Sequence, residues 1–346
     1  MEKMNAIIFR QTGGIEKLEY VDMEKPHPLR GEALIRVRAC ALNHLDYWVL
    51  TGAVAPKISM PHILGCDVAG DVAAYGPGTR GPRIGSRVLV SPGIRTGHSE
   101  YYKSGIWDSL APGYQIVGFQ NNGGFAEYVK VPAANLIPVS DRFSYAEWSA
   151  VPLVFTTAWH MLVTHAKLQK NETVLIHAAG SGIGSAAIQI AKYLGAKVIT
   201  TVGSDAKIKP AKALKADHII NYRKKDFVTE TRILTRNLGV DVVFEHIGPE
   251  TIVKSILCLK RRGRLVHCGV TSGPTAQFDL RYLFANQLTI QGSYMGGFGE
   301  LKKVVHLMER GTLKPVVDQI FALPQAQDAF KRMVSRENFG KIILTP

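Results

Sequence analysis

Cysteine is scarce in this chain: four in 346 residues, at positions 40, 66, 258 and 268. No two of them form a Cys-x-x-Cys pair, which argues against a disulfide framework and fits a reducing cytoplasm. Long apolar runs are also missing. No stretch approaches the roughly 20 residues of a membrane span, and Met1-Glu2-Lys3-Met4-Asn5 leads into no apolar segment of the signal-peptide kind. Acidic residues are few, 28 against 42 basic ones, for a net charge of +14. The excess gathers at Lys207, Lys209, Lys212 and Lys215, at Arg223-Lys224-Lys225 and at Arg261-Arg262. A solvated basic surface that keeps the protein in solution accounts for it. A non-catalytic nucleic-acid-binding protein is the alternative, but no recognition module, zinc finger or aromatic-basic motif accompanies the charge. Hydrophobic residues at 46% and charged residues at 20% describe an ordinary globular chain with room for about two domains.

What the chain does have is a strand, a glycine-rich turn, a helix and a second strand within Thr173–Ser204. Thr173-Val174-Leu175-Ile176-His177 is a short apolar run of buried-strand type. Ala178-Ala179-Gly180-Ser181-Gly182-Ile183-Gly184 then turns into a helix with Ile183, Ala187, Ile190, Ala191 and Leu194 on one face, stopped by Gly195. Lys197–Val202 is the next strand. Small residues at such a turn let the backbone approach a pyrophosphate, and the helix N-terminus offers N–H donors and a positive dipole end. Framed by two strands, the turn points to a nicotinamide or flavin dinucleotide.

Residues 1–150 read as β-rich, with short apolar runs at Ala6–Phe9, Ala33–Val37, Val68–Ala74 and Arg87–Val90. Strands at 173–177, 197–202, 218–221, 241–245, 264–268 and 288–292 then alternate with helical patterns. Leu301–Glu309 and Ala326–Val334 read as helices and Lys341–Leu344 as a last strand. No internal repeat or low-complexity linker is present. This order, together with Ala41-Leu42-Asn43-His44-Leu45-Asp46, Leu64-Gly65-Cys66-Asp67-Val68-Ala69-Gly70, Gly123-Gly124-Phe125-Ala126-Glu127-Tyr128 and the 177–184 turn, resembles the medium-chain dehydrogenase/reductase superfamily. The resemblance runs from Ala6 to the C-terminus. It implies an α/β chain with a GroES-like β-rich catalytic domain at 1–154 and 296–346. A doubly wound Rossmann nucleotide-binding domain at 155–295, a cleft between the two, and a homodimer or homotetramer are implied as well.

Zinc alcohol dehydrogenases of this superfamily hold a catalytic zinc with Cys, His and Cys or a close variant. The matching positions here are Asn43, Cys66 and Leu153, and Leu153 cannot ligate a metal. The proton-relay hydroxyl is replaced by Leu45. The lobe that carries four cysteines for a structural zinc keeps its length near Arg95–Leu110 but has none. Thr96, Ser99, Tyr102 and Ser109 or Leu110 stand at those positions. No zinc is therefore expected. A rearranged site from His44, His62, Cys66 and Asp67 is the alternative, although its spacing fits no closed site. Asn43 with Asp46 and Gly65-x-Asp67 is similar instead to the zinc-free quinone oxidoreductase branch, in which the Asn lies near the nicotinamide. The retained lobe is not typical of that branch.

The first strand-end after the glycine turn decides the cofactor. NAD-preferring sheets place Asp or Glu there; here the end reads Val202-Gly203-Ser204, with Lys207 three residues on. Ser204 and Lys207 suit a 2′-phosphate, Tyr222 matches a Tyr that NADP-binding relatives place over it, and Asp205 is the counter-argument. By resemblance, Thr157, Gly180, Ser181, Gly182, Ile183, Gly269, Val270, Ser293 and Met295 complete an NADPH site. Asn43, His44, Asp46 and Tyr47 form the catalytic segment, with His44 equally suited to the pyrophosphate. The expected reaction is zinc-free hydride transfer from NADPH to a small-molecule quinone or α,β-unsaturated carbonyl, whose delocalised anion needs only hydrogen-bond donors. A zinc-dependent alcohol dehydrogenase is the second reading.

Overall fold

The computed structural model describes residues 2–54 and 58–346. The chain forms two compact units, one up to Leu153 together with Gly297–Pro346 and the other Val154–Gly296.

The second unit is a doubly wound parallel sheet of β1 (Thr173–Ile176), β2 (Lys197–Val202), β3 (His218–Asn221), β4 (Val240–Glu245), β5 (Leu259–His267) and β6 (Thr289–Gly292). Their spatial order is β3-β2-β1-β4-β5-β6. The direction of winding therefore reverses between β1 and β4, the point at which open α/β sheets receive ligands. These strands read as continuous apolar runs because helices cover both faces. Leu175, Ile199, Ile220, Val243 and Leu265 pack with Phe227 and Ile256 in one cluster. β5 starts at Leu259 rather than at the expected 264. Its polar stretch Lys260-Arg261-Arg262 coincides with a register shift opposite Val240 and Val242 and with a left-handed Arg262 (φ 61°). α1 (Gly182–Tyr193) follows β1 and buries Ala186, Ala187, Ile190 and Ala191, and Gly195 ends the turn beyond it at φ 79°.

In the first unit a seven-stranded sheet is built on the strand Glu32–Ala41. Asp67–Tyr75, Tyr128–Pro132 and the C-terminal strand Lys341–Thr345 all pair with it antiparallel. Ile343 lies opposite Ala41 and Leu344 opposite Cys40, so the end of the chain is laid beside the segment that opens the His44–Thr51 helix. The helices Phe298–Glu309 and Ala326–Val334 lie near the positions the sequence suggested. Among the described residues no helix is long and apolar enough to cross a membrane.

Candidate active site

The strand Glu32–Ala41 ends two residues before the His44–Thr51 helix, and Asn43 caps that helix in extended conformation. Asp46, in the helix's first turn, folds back: its carboxylate accepts the Asn43 N–H at 2.7 Å and the Gly65 N–H at 3.0 Å. Gly65 takes φ 100°, and a Cβ there would lie 2.6 Å from Phe125 and 2.8 Å from the Cys40 sulfur. Only glycine lets the two segments meet. Burial lifts the Asp46 carboxyl to about 7, against the pull of those N–H groups and of Lys341.

Asn43 itself is turned inward. Its Nδ2 donates to Asp67 Oδ2 at 2.9 Å and lies 3.4 Å from the Cys66 sulfur, while its Oδ1 accepts from Lys341. The Lys341 ammonium also donates to Leu42 O at 2.6 Å and to Asp67 Oδ2 at 3.0 Å. The remaining Asp67 oxygen accepts the Leu153 N–H at 2.8 Å. Asn43 and Leu153, two of the three positions that resemble zinc ligands, are thus tied together through the Asp67 carboxylate, with the Cys66 sulfur against the Asn43 amide. The Lys341 and Asp67 side chains are only 5% and 0% exposed.

This donor set does not fit zinc. Leu153 carries no ligand atom, and the Asp67 carboxylate is already taken by Lys341 and Asn43. Nor do the residues of a rearranged site converge. His62 Nε2 lies 3.2 Å from Gly118 O with its ring edge-on to Phe9, and His44 packs near Trp48. Among the described residues no group of three or more His, Cys, Asp or Glu could hold a metal ion. Of the four catalytic residues expected from the sequence, Asn43 and Asp46 spend their polar atoms on this internal web, whereas His44 and Tyr47 are half-buried.

The cysteine-free lobe is closed differently. Arg95 donates from Nε (2.9 Å) and Nη2 (2.7 Å) to Asp108 Oδ2, which also accepts the Phe298 N–H at 2.8 Å. The guanidinium lies over the rings of Tyr102 and Phe298. Thr96, at a position that resembles one of the zinc-lobe cysteines, donates through its hydroxyl to Gly113 O and through its N–H to the Tyr102 hydroxyl.

In the nucleotide unit the glycine turn is tied to β2. Ala178 N–H donates to Thr201 Oγ1 and Ala179 N–H to Thr201 O. The Ser181 hydroxyl donates to Ala178 O at 2.8 Å and accepts the Gly184 N–H at 2.9 Å, capping α1. A Cβ on Gly184 would stand 2.2 Å from Ala178 O, so the tight packing needs glycine at this position. Gly182 and Ile183 open the helix, where N–H groups have no intrahelical acceptor. Ser204 precedes the short turn Asp205–Lys207, and the Tyr222 hydroxyl lies 2.7 Å from where a Gly203 Cβ would be. Gly269 approaches His246 O, Val270 is 42% exposed, and Met295 is buried with φ 56°. The Ser293 N–H donates to His267 O at 2.8 Å. The Thr157 and Ser293 hydroxyls and His267 Nδ1 are buried without a protein partner.

Sequence reasoning missed a polar core at the ends of β1 and β4. His177 Nε2 lies 2.8 Å from Ser255 Oγ, and Glu245 accepts the Ser255 hydroxyl and the Ile247 and Gly248 N–H groups. Burial holds His177 at about 4, hence neutral at ordinary pH. His246 Nε2 lies 3.0 Å from His177 O and joins the two loops of the switch point. The one available signal was a histidine or glutamate closing each apolar strand.

The pattern of the alcohol dehydrogenase GroES-like domain matches residues 29–141, and that of the zinc-binding dehydrogenase matches residues 182–310. The chain is 30% identical to a quinone oxidoreductase of Salmonella typhimurium, over 98% of this chain and 99% of that protein. The crystal structure of an NAD-dependent alcohol dehydrogenase superposes with a TM-score of 0.95 at 41% identity, covering 99% of this chain and 100% of that one. A 2-octenoyl-CoA carboxylase reductase in complex with NADP and 2-octenoyl-CoA superposes at 0.91 with 27% identity, covering 100% and 88%.

Proposed function

The chain belongs to the medium-chain dehydrogenase/reductase superfamily and is an oxidoreductase that uses a nicotinamide cofactor; from that premise we propose that it reduces a quinone or an α,β-unsaturated carbonyl compound with NADPH and without zinc. The observation that carries this reading is the Lys341–Asp67–Asn43 web at the positions that resemble zinc ligands. An ammonium whose protons go to Leu42, Asn43 and Asp67 leaves no ligand set for a metal, and a Leu at 45 offers no hydroxyl relay. Deprotonating a simple alcohol at neutral pH needs a metal or a positioned general base.

The nicotinamide nucleotide supplies the hydride. In this reading the chain's own groups bind and orient. The turn Gly180–Ile183 takes the pyrophosphate at the α1 N-terminus. The Thr157 and Ser293 hydroxyls, buried without partners, match the polar edges of a bound nicotinamide, beside Gly269, Val270 and Met295. Ser204, Lys207 and Tyr222 take the 2′-phosphate. His44 and Tyr47 donate hydrogen bonds to the substrate oxygen on which charge builds, a weak polarisation that suffices for an enolate or quinol anion. Asn43 and Asp46 hold that segment in place.

The 41%-identical alcohol dehydrogenase is named for NAD, which makes cofactor choice the sharpest part of the test. Among the described residues β6 pairs with β5 alone, and Leu280 and Phe284, in the helix that precedes it, are 64% and 70% exposed; we assign this edge to a second copy of the chain, as in a homodimer. With three of four cysteines buried and none paired, a reducing cytoplasm suits the protein. The test is steady-state oxidation of NADPH and NADH against quinones, enones, aldehydes and alcohols. NADPH with quinones or enones should dominate. NAD-linked alcohol oxidation as the main activity contradicts the proposal.

A further inference from the structure

Asp205 stands one residue beyond the position at which NAD-binding sheets grip the ribose hydroxyls, and a carboxylate beside a 2′-phosphate repels it. The structure gives this carboxylate another occupation. Its Oδ1 accepts from Asn221 Nδ2 at 2.7 Å and its Oδ2 from the Lys224 ammonium. Asn221 ends β3, is 8% exposed and lies opposite Val202, the end of β2. The same residue organises the turn that follows. Its side-chain oxygen accepts the Arg223 N–H at 3.1 Å, and its carbonyl accepts the N–H groups of Lys224 and Lys225 at 3.0 Å each. Tyr222, between them, donates its N–H to Val202 O and lays its hydroxyl over Gly203.

We infer that Asp205 is the anchor of the basic turn Tyr222–Lys225, so that this carboxylate strengthens the binding of a 2′-phosphorylated nucleotide. This rests on the NADPH reading of the same edge and adds a positioning residue to it. Through Asn221, Asp205 fixes a turn bearing Tyr222, Arg223, Lys224 and Lys225 beside Ser204 and Lys207. Lys207, Arg223 and the Asp205-paired Lys224 gather on one small edge, Lys225 being held by Glu230 at 3.0 Å, and a phosphomonoester dianion is the chemistry such a basic edge attracts. The Lys224 ammonium and the Asn221 amide hold the Asp205 carboxyl below the usual range. The Asp205 and Lys224 side chains are 56% and 65% exposed, so their ion pair is worth little alone. The bond to Asn221 is the part that orders the turn.

The test uses the full chain and two probes, adenosine 2′,5′-bisphosphate and 5′-AMP, titrated calorimetrically. The wild type should bind the bisphosphate more tightly; equal affinity for the two overturns the NADPH reading, and this proposal with it. Asp205→Ala should weaken the bisphosphate by about fivefold or more while 5′-AMP changes by less than about twofold. Asp205→Asn keeps an acceptor for Asn221 without the charge, so its bisphosphate affinity should fall less than that of the Ala variant, and thermal unfolding confirms that both are folded. A wild type that prefers the bisphosphate, with an Ala variant that tightens it and weakens 5′-AMP, leaves the NADPH reading standing and overturns the anchor. No change for either probe does the same. Should the Ala variant fail to fold, tightening by Asp205→Asn is the overturning result and equal or weaker binding the supporting one.

Discussion

Two places in the first unit resemble the metal positions of zinc dehydrogenases, and both are closed by a basic side chain on a carboxylate, but at different depths. At Lys341–Asp67 the side chains are 5% and 0% exposed. The ammonium serves Leu42, Asn43 and Asp67, and both Asp67 oxygens are taken. At Arg95–Asp108 the side chains are 35% and 4% exposed, and all donors crowd onto Oδ2 while Oδ1 is buried without a partner. A buried pair survives only when its geometry is complete, because an uncompensated charge in low dielectric costs several kcal/mol. A pair with one face in water tolerates an imperfect set. The core pair is therefore the more tightly determined of the two, and the lobe pair the looser one.

The largest expected effect comes from breaking the deeper pair. Lys341→Met strands the Asp67 charge and should lower unfolding stability by about 3–5 kcal/mol in denaturant titrations. Adding Asp67→Asn to it should recover part of the loss, since the stranded charge is then gone. A Lys341→Met protein as stable as the wild type would erase the contrast between the two places.

Arg95→Ala tests the shallower pair. It removes two hydrogen bonds and the contacts over Tyr102 and Phe298, and the loss should stay below about 2 kcal/mol. The lobe at 95–113 should become the preferred site of limited proteolysis, with catalysis little changed. A loss as large as that at Lys341 would show the two pairs to be equivalent.

A third test lies in the pH dependence beside the core web. The Asp46 carboxyl is raised by burial to about 7, above its unfolded value of about 3.9. The folded state therefore holds a proton longer than the unfolded one. The stability this lends is complete below pH ~4 and is lost as pH rises through ~7, with a slope approaching about 1.4 kcal/mol per pH unit. Asp46→Asn, though less stable overall, should lack this component when denaturation is followed from pH 4 to 8. The same pH slope in both proteins counts against the assignment.

The sequence carried much of this organisation and little of its chemistry. The strands Thr173–Ile176 and Lys197–Val202 and the helix between them were legible because buried apolar runs and a glycine turn are local signals. The web was not. Lys341 reaches Asp67 across 274 residues of chain, through the pairing of the C-terminal strand with Glu32–Ala41, and no local pattern encodes that register. The same blindness gave Asn43 the part of an outward donor. A helix-cap residue can point either way, and the ammonium that draws it inward comes from the other end of the chain. Arg95 and Asp108 were in the stretch singled out for its missing cysteines, yet a cation–carboxylate pair at that spacing looks like any surface pair.

The central claim is that an ammonium–carboxylate web stands where a catalytic metal would, and that the reaction runs without one. Its most direct measurement is metal content and turnover on one sample, purified without chelator, incubated with zinc salt and dialysed. The account predicts substoichiometric zinc and NADPH-dependent quinone or enone reduction at an unchanged rate before and after chelation. One tightly held zinc per chain, with chelator-sensitive alcohol oxidation as the dominant activity, would contradict it.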